Sequence, residues 1–145
     1  MSRGLSALPK NNDKCNVFVY GTLKPQGSNF EQYCANKIIA MQPAIAYGEL
    51  FALPMGYPAI AIDQLQSAVY GYLFTFASCH ILEALDELED YQSDRITSEN
   101  LYNRQQIEIF DHGKKCLGVA WVYCMDSDQV IGFGGISQSS GIWSP

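Results

Sequence analysis

The stretch VFVYGTLK, at residues 17–24, forms the first strand of the predicted sheet and ends it at a glycine. Its first four residues are β-branched or aromatic, which is typical of a strand. Gly21 then lets the backbone turn, so that the N–H groups of Gly21, Thr22 and Leu23 can converge on one ligand oxygen. Donors fixed in this way suit a carboxylate or a developing oxyanion. Taken alone, the tetrapeptide YGTL is more simply explained as an ordinary turn.

Short segments with strand character recur along the rest of the chain, separated by turn residues. The sequence predicts strands at residues 15–20, 38–41, 44–51, 59–62, 68–76, 102–110 and 117–124. The last two form a hairpin, and Pro43 interrupts the second and third because proline cannot donate to a ladder. This pattern favours an α+β fold, a small mixed and mostly antiparallel β-barrel with a few flanking helices, since closure removes exposed strand edges.

Two helices and two irregular segments complete the predicted elements. The capping-box pattern SNFE at residues 28–31 opens a short helix that ends near Asn36. Residues 79–89 form a longer helix. Residues 53–58 are predicted as a loop because they contain two prolines and a glycine, and the glycine-rich segment from Met125 is predicted as irregular.

The composition excludes several classes of function. A formal net charge of −6 leaves no basic patch for a nucleic acid. The longest apolar run, residues 68–77, is too short to span a bilayer, and no secretory signal is visible at the start of the chain. We therefore expect a cytoplasmic protein with a flexible tail at residues 1–13 and a single domain at residues 14–145. The oligomeric state does not follow from the sequence.

The five cysteines contain no C-x-x-C pair, and neither of the two histidines lies at ligand spacing from a cysteine. A disulfide framework or a metal site is therefore not expected, and we predict reduced cysteines, several of them buried. The neighbours Cys79 and His80 do not form a nucleophile and its base, because adjacent helical residues do not face each other.

The longer helix carries one acid on its apolar side. With Ile81 at zero on an ideal helical wheel, Glu89 falls at about 80°, between two leucines. The other four acids of the segment, including Asp86, spread over about 140° to 240° on the water side. Loss of hydration raises the pKa of a carboxyl group, which suits it to accept and return protons near neutrality. The alternative is that the helix stops at Leu88 and Glu89 turns outward.

Several motifs in order along the chain resemble those of the γ-glutamylcyclotransferase-like family, also called the AIG2-like or BtrG-like group. They are YGTL at residues 20–23, LDELEDY at 85–91, YNR at 102–104, AWVY at 120–123 and GIW at 141–143. Together they span nearly the whole predicted domain. One departure is Asp90, where the family commonly has glycine.

The resemblance implies the fold, the site and the reaction. The fold is a small mixed β-barrel with flanking helices and a cavity at one side. Glu89 matches the catalytic acid/base, and Tyr20, Gly21, Thr22 and Leu23 match the substrate-binding loop. The implied enzyme cyclises the γ-glutamyl group of a small γ-glutamyl amide to 5-oxoproline and releases an amine, with no metal or organic cofactor.

Tyr102 and Arg104 are further candidates to bind the substrate carboxylate, because alternate residues of a strand project to the same face. For Arg104, a surface position is the simpler expectation. Tyr123 fits a core position as well as a site position.

Two other functions are compatible with the same residues. A noncatalytic small-carboxylate-binding or interaction protein would keep the cavity without turnover. An acyl-transfer enzyme that uses a cysteine ranks last. The sequence also leaves open which amine leaves and whether Asp90 in place of glycine impairs catalysis by shifting Glu89.

Overall fold

The computed structural model describes residues 14–63 and 67–144, so the predicted tail at residues 1–13 lies outside the described residues. The described strands are β1 (Cys15–Val19), β2 (Ile38–Ala52), β3 (Pro58–Ala61), β4 (Ser67–Phe76), β5 (Asn103–Phe110), β6 (Cys116–Cys124) and β7 (Ile136–Ser137). The described helices are α1 (Phe30–Tyr33), α2 (Ile81–Leu88) and α3 (Ser127–Phe133), with a short 3₁₀ turn at Thr97–Glu99. None of these helices is long and apolar enough to cross a membrane.

The strands are joined in the order β3-β2-β4-β1-β6-β5, and β2 also pairs with β5. This extra pairing, between Ile45 and Phe110, closes a ring of five strands. Within the described residues, β1 and β6 pair in parallel and the other pairs are antiparallel. The predicted α+β fold with a mostly antiparallel sheet is confirmed, and the closed ring of pairs gives the sheet its barrel character.

Strand β1 is buried on both faces, which places the start of the YGTL loop deep in the structure. Val17 and Val19 pack with residues of α2 such as Leu85 in one core cluster. Phe18 and Tyr20 belong to a second cluster with the inward residues of the other barrel strands. Because successive side chains of a strand alternate between its faces, the same five-residue segment contributes to both clusters.

Strand β2 runs without interruption through Pro43, so the predicted break between two strands is wrong. Pro43 is exposed and lies opposite Tyr72 of β4. On the other edge of β2, the described partners join only from Ile45 onward. A proline is tolerated in a strand where its missing N–H faces an edge without a partner.

Two other local predictions also need correction. The capping box is wrong: α1 begins at Phe30, and its N-cap is Asn29, which makes no side-chain capping bond. The segment after Met125 is not irregular throughout, because it forms α3 and β7. Gly134 ends α3 with a φ of +84°, a left-handed conformation that favours glycine.

A disulfide joins Cys15 at the start of β1 to Cys79 just before α2, so the expectation that all cysteines are reduced is wrong. The two residues are 64 positions apart in the sequence, and the β1–β4 pairing brings them together. The bond also removes Cys79 as a free thiol nucleophile. Cys34, Cys116 and Cys124 are free.

Candidate active site

A cavity of about 180 Å³ opens where β1 ends, between the YGTL loop and the C-terminal end of α2. Its other walls come from the segment before β3, the residues before β5, and β6. Six of the residues that the sequence predicted for the site line this cavity, namely Tyr20, Gly21, Thr22, Leu23, Glu89 and Tyr102. Segments distant in the sequence therefore meet at one place.

One wall of the cavity presents hydrogen-bond donors. Within the described part of the chain, the N–H groups of Gly21, Thr22 and Leu23 have no hydrogen-bond acceptor. The loop is held from behind, because Lys24 N donates to Gly21 O at 3.0 Å and Asn29 N donates to Thr22 O at 2.9 Å. These amides are thus fixed in place and available to an anion.

The Asn29 side chain orients one more donor of this wall, the hydroxyl group of Thr22. Its Nδ2 donates to Thr22 Oγ1 at 2.9 Å. Because that bond occupies the hydroxyl oxygen as an acceptor, the hydroxyl hydrogen of Thr22 is left to donate. Asn29 was not predicted as a site residue, since nothing local in the sequence distinguishes it from any other residue near a helix N-terminus.

The helix α2 ends at Leu88, as the alternative had it, but its C-cap residue Glu89 lies at the cavity, so the outward turn of Glu89 in that alternative is wrong. The helix ends in a Schellman motif. Tyr91 N donates to Asp86 O at 2.9 Å, and Asp90 N donates to Glu87 O at 3.3 Å. Asp90 takes the left-handed conformation that such an end requires, with φ of +56°. The aspartate therefore adopts the conformation for which glycine is common.

Among the carboxyl groups of the described site, that of Glu89 has the most strongly shifted pKa. Burial raises its pKa from 4.5 to about 7. Burial, followed by the nearby Glu89 carboxyl, also raises the pKa of Tyr102. A carboxyl group with a pKa near 7 can both take up and release a proton at neutral pH.

Three phenols surround Glu89, and each donates its proton to the protein scaffold. Tyr20 donates to the carbonyl oxygen of Tyr123 at 2.6 Å and accepts from Ile60 N at 3.1 Å. Tyr102 donates to Pro58 O. Tyr123 donates to a carboxylate oxygen at 2.7 Å.

The oxygens of Tyr102 and Tyr123 consequently offer lone pairs to the cavity. Together with Glu89 they supply the acceptor oxygens among the side chains that line the cavity. The sequence alone left Tyr123 between core and site, and the structure places it in both roles. It is buried and it lines the cavity.

The acceptor of the Tyr123 proton is Asp86, which was predicted to face water. That prediction is wrong, because Asp86 is partly buried between α2 and β6. Arg104 Nη2 donates to Asp86 Oδ2 at 3.1 Å, and the Arg104 guanidinium lies 4.5 Å from the ring centre of Trp121. Asp86 is thus held from two sides while it orients the phenol.

Arg104 does not line the cavity, so its candidate role beside Tyr102 at the ligand is wrong. The simpler expectation of a surface position is wrong as well, because its side chain is only 16% exposed. Strand β5 begins at Asn103, and Tyr102 and Asn103 are both buried. The regular alternation that the prediction assumed therefore starts only after Tyr102. Arg104 instead connects β5 to α2 through its ion pair with Asp86.

Comparison with known proteins shows which family and which solved structures the chain is similar to. Residues 17–144 match the family described as gamma-glutamyl cyclotransferase, AIG2-like. The chain is 32% identical over 111 residues to gamma-L-glutamyl-butirosin B gamma-glutamyl cyclotransferase of Niallia circulans, covering 77% of this chain and 68% of the relative. Among solved structures, an AIG2-like protein from Mus musculus has a TM-score of 0.62 at 18% identity, covering 92% of this chain and 97% of that chain. YkqA from Bacillus subtilis has a TM-score of 0.63 at 22% identity, covering 90% of this chain but 39% of YkqA.

Proposed function

Because the chain belongs to the gamma-glutamyl cyclotransferase, AIG2-like family, we propose that it cyclises the γ-glutamyl group of a small γ-glutamyl amide to 5-oxoproline and releases an amine. The observation that carries the proposal is the placement of Glu89. Its carboxyl group, with a pKa raised by burial to about 7, lies in one cavity with the free amides of the YGTL loop. A proton acceptor and an anion site are the two features that this reaction needs.

The reaction is an intramolecular acyl transfer. The α-ammonium of the substrate loses a proton to Glu89, because only the neutral amine is a nucleophile. The amine nitrogen attacks the side-chain carbonyl carbon, forming the ring C–N bond, and the C–N bond to the leaving amine breaks. Glu89 returns this proton to the departing nitrogen. The ring nitrogen then loses its second proton, which Glu89 also passes to the released amine, so the lactam keeps one N–H and the amine leaves as an ammonium ion. No water is consumed, and no step uses a metal or an organic cofactor.

The donors and acceptors that line the cavity fit the two ends of a γ-glutamyl group, the γ-carbonyl at one end and the α-ammonium at the other. The N–H groups of Gly21, Thr22 and Leu23 suit the substrate oxygens and the charge that develops on the reacting carbonyl. The lone pairs of Tyr102 and Tyr123, beside Glu89, suit the α-ammonium. Holding both ends would bend the substrate back on itself, which matters because ring closure depends mainly on orientation.

The leaving amine defines the substrate class. The relative from Niallia circulans is named for gamma-L-glutamyl-butirosin B, a γ-glutamyl derivative. A γ-glutamylated biosynthetic intermediate of that kind is one candidate for this chain, beside γ-glutamyl amino acids and γ-glutamylamines. All three share the group that the cavity is proposed to bind and differ in the part that leaves.

The test is 5-oxoproline release from a panel of the three substrate classes. Each substrate is paired with its α-N-acetyl derivative, which has no free amine to close the ring. We expect 5-oxoproline from the free-amine member of a pair and none from the blocked one. Release of glutamate, which indicates hydrolysis, would contradict cyclisation. Binding of γ-glutamyl compounds without any product would favour the noncatalytic small-carboxylate-binding alternative.

A further inference from the structure

The turn that follows Glu89 is held by a residue outside the cavity. Asp90 comes directly after Glu89 with a φ of +56°, a conformation that a Cβ atom disfavours. Arg95 Nη2 donates to both groups of Asp90, at 2.9 Å to the carbonyl oxygen and at 3.1 Å to Oδ1. One guanidinium nitrogen therefore fixes the side chain and the backbone of Asp90 relative to each other.

We propose that Arg95 is a positioning residue, which holds the Glu89 carboxyl group at the cavity by clamping Asp90 in the left-handed conformation. The backbone carbonyl groups of Glu89 and Asp90, which border that turn, already accept hydrogen bonds. Leu101 N donates to Asp90 O at 3.2 Å, and Tyr102 N donates to Glu89 O at 3.3 Å. The clamp therefore acts on the same segment that connects Glu89 to the wall of the cavity.

Loss of the clamp has a defined structural consequence. Without Arg95, Asp90 lowers its conformational free energy by moving to the right-handed helical backbone conformation. That change extends α2 by another residue. That movement breaks the bond from Tyr91 N to Asp86 O, which requires the left-handed turn. The carbonyl of Glu89 would also leave Tyr102 N, so Glu89 would no longer be held against the part of the cavity wall that Tyr102 forms.

Glycine at position 90 would make the clamp unnecessary. Glycine adopts positive φ without the penalty of a Cβ atom, so the turn forms without help from a side chain. The roles of Asp90 and Arg95 are thus coupled. An exposed ion pair is ordinarily worth little. Here the ion pair between Arg95 and Asp90 acts by holding residue 90 in the left-handed backbone conformation. A glycine at position 90 separates the ion pair from that conformation, because glycine adopts it without the pair.

The test is a cycle of Arg95→Ala, Asp90→Gly and the double variant, measured with the best substrate of the panel. We expect Arg95→Ala to lower kcat about tenfold with KM nearly unchanged, because the reacting groups are misplaced while the anion loop is intact. Asp90→Gly keeps activity within about twofold of the native protein, and the double variant recovers to the same level. A double variant as slow as Arg95→Ala would overturn the proposal.

A matched control distinguishes the removal of backbone strain at position 90 from a general gain in stability. Lys114, in the turn between β5 and β6, also has a left-handed φ of +70° and does not line the cavity. Lys114→Gly gives the same backbone relief elsewhere, so it should leave the low kcat of Arg95→Ala unchanged. Rescue by Lys114→Gly would show that Arg95 contributes only to overall stability.

A second readout keeps the inference separate from the proposed function. Carbon-13 NMR of the side-chain carboxyl groups follows the titration of Glu89 without any substrate. We expect its midpoint to fall toward the ordinary carboxyl range in Arg95→Ala and to return in the double variant. If no panel substrate turns over, this shift still supports the positioning role while the proposed activity fails. Native kcat and a native Glu89 midpoint in Arg95→Ala would overturn the inference and leave the activity standing.

Where Arg95→Ala does not fold, Asp90→Ala tests the same clamp from its other side. It retains Arg95 but removes the Oδ1 contact, and alanine at a positive φ is disfavoured. We expect a similar loss of kcat and a similar fall of the Glu89 midpoint. Native values for both in this variant would contradict the proposal.

Discussion

Replacing Glu89 by glutamine is expected to stabilise the protein increasingly as the pH rises. In the folded chain, burial raises the pKa of Glu89 from 4.5 to about 7. Between these two values the native state keeps a proton that the unfolded state has released. Stability therefore falls as the pH rises through this window, because the native state binds more protons than the unfolded state.

The size of the effect follows from the two pKa values. Each pKa unit corresponds to about 1.4 kcal/mol, so ionised Glu89 costs the folded state about 3 kcal/mol above neutrality. Below about pH 4 the group is protonated in both states and the cost disappears. Glutamine does not titrate, so it removes this dependence and leaves only a constant offset from its different hydrogen bonding.

The assay is urea unfolding of the native protein and Glu89→Gln at intervals from about pH 4 to 8.5. The difference in unfolding free energy should grow by about 3 kcal/mol across this range, or roughly 10 °C in Tm. Glu87→Gln is the matched control, because Glu87 is exposed on the same helix. All other titrating groups cancel in each difference.

A flat difference would refute the reasoning. If Glu89→Gln and the native protein keep a constant separation within about 0.5 kcal/mol from pH 4 to 8.5, Glu89 is not desolvated in the folded state. An equal slope for Glu87→Gln would likewise show that the effect belongs to the net charge and not to the cavity.

Three further changes test other parts of the structure. Gly21→Ala places a Cβ 2.6 Å from Pro58 Cγ and displaces the donor loop, so steady-state kinetics should show KM raised about tenfold; an unchanged KM would contradict the role of the loop. Tyr20→Phe leaves a buried backbone N–H without its acceptor and should cost about 1–3 kcal/mol in urea unfolding, whereas a neutral result would contradict that bond. Because Cys15 and Cys79 are bonded, alkylation of the denatured protein should label three of the five cysteines without reductant and all five with it, as read by mass spectrometry. Five labels without reductant would contradict the disulfide.

The local sequence predicts several individual strands accurately. The β-branched and aromatic content of β1, β4 and the β5–β6 hairpin predicts these elements within one or two residues. The closed order of the strands does not follow from such patterns, because it depends on contacts between segments far apart. The single bridge from Ile45 to Phe110 that closes the ring has no local signal.

The errors have identifiable physical causes. Pro43 is harmless in β2 because its missing N–H has no partner to lose at that edge. The pairing of Cys15 with Cys79 cannot be deduced from spacing, since it arises from the tertiary position of β1 beside β4. The helical wheel assigned Asp86 to water because it cannot represent a neighbouring strand that supplies a phenol and a guanidinium.

Most residues that line the cavity were predictable because they belong to compact motifs. Glu89 was distinguishable as an acid on an apolar stripe, and the resemblance gave the YGTL loop. Asn29 and the acceptor role of Tyr123 needed three-dimensional contacts, since both act through partners distant in the sequence. The clamp on Asp90 by Arg95 was equally invisible, although the departure from glycine marked the position.

The rate of 5-oxoproline formation by Glu89→Gln, relative to the native protein, tests the central claim most directly. Glutamine preserves the shape of the side chain and removes the proton acceptor. General acid–base catalysis is worth about 10²–10⁴ in rate, so we expect kcat to fall at least a hundredfold while substrate binding is retained. A variant that releases 5-oxoproline at the native rate would contradict the assignment of Glu89 as the acid/base of this enzyme.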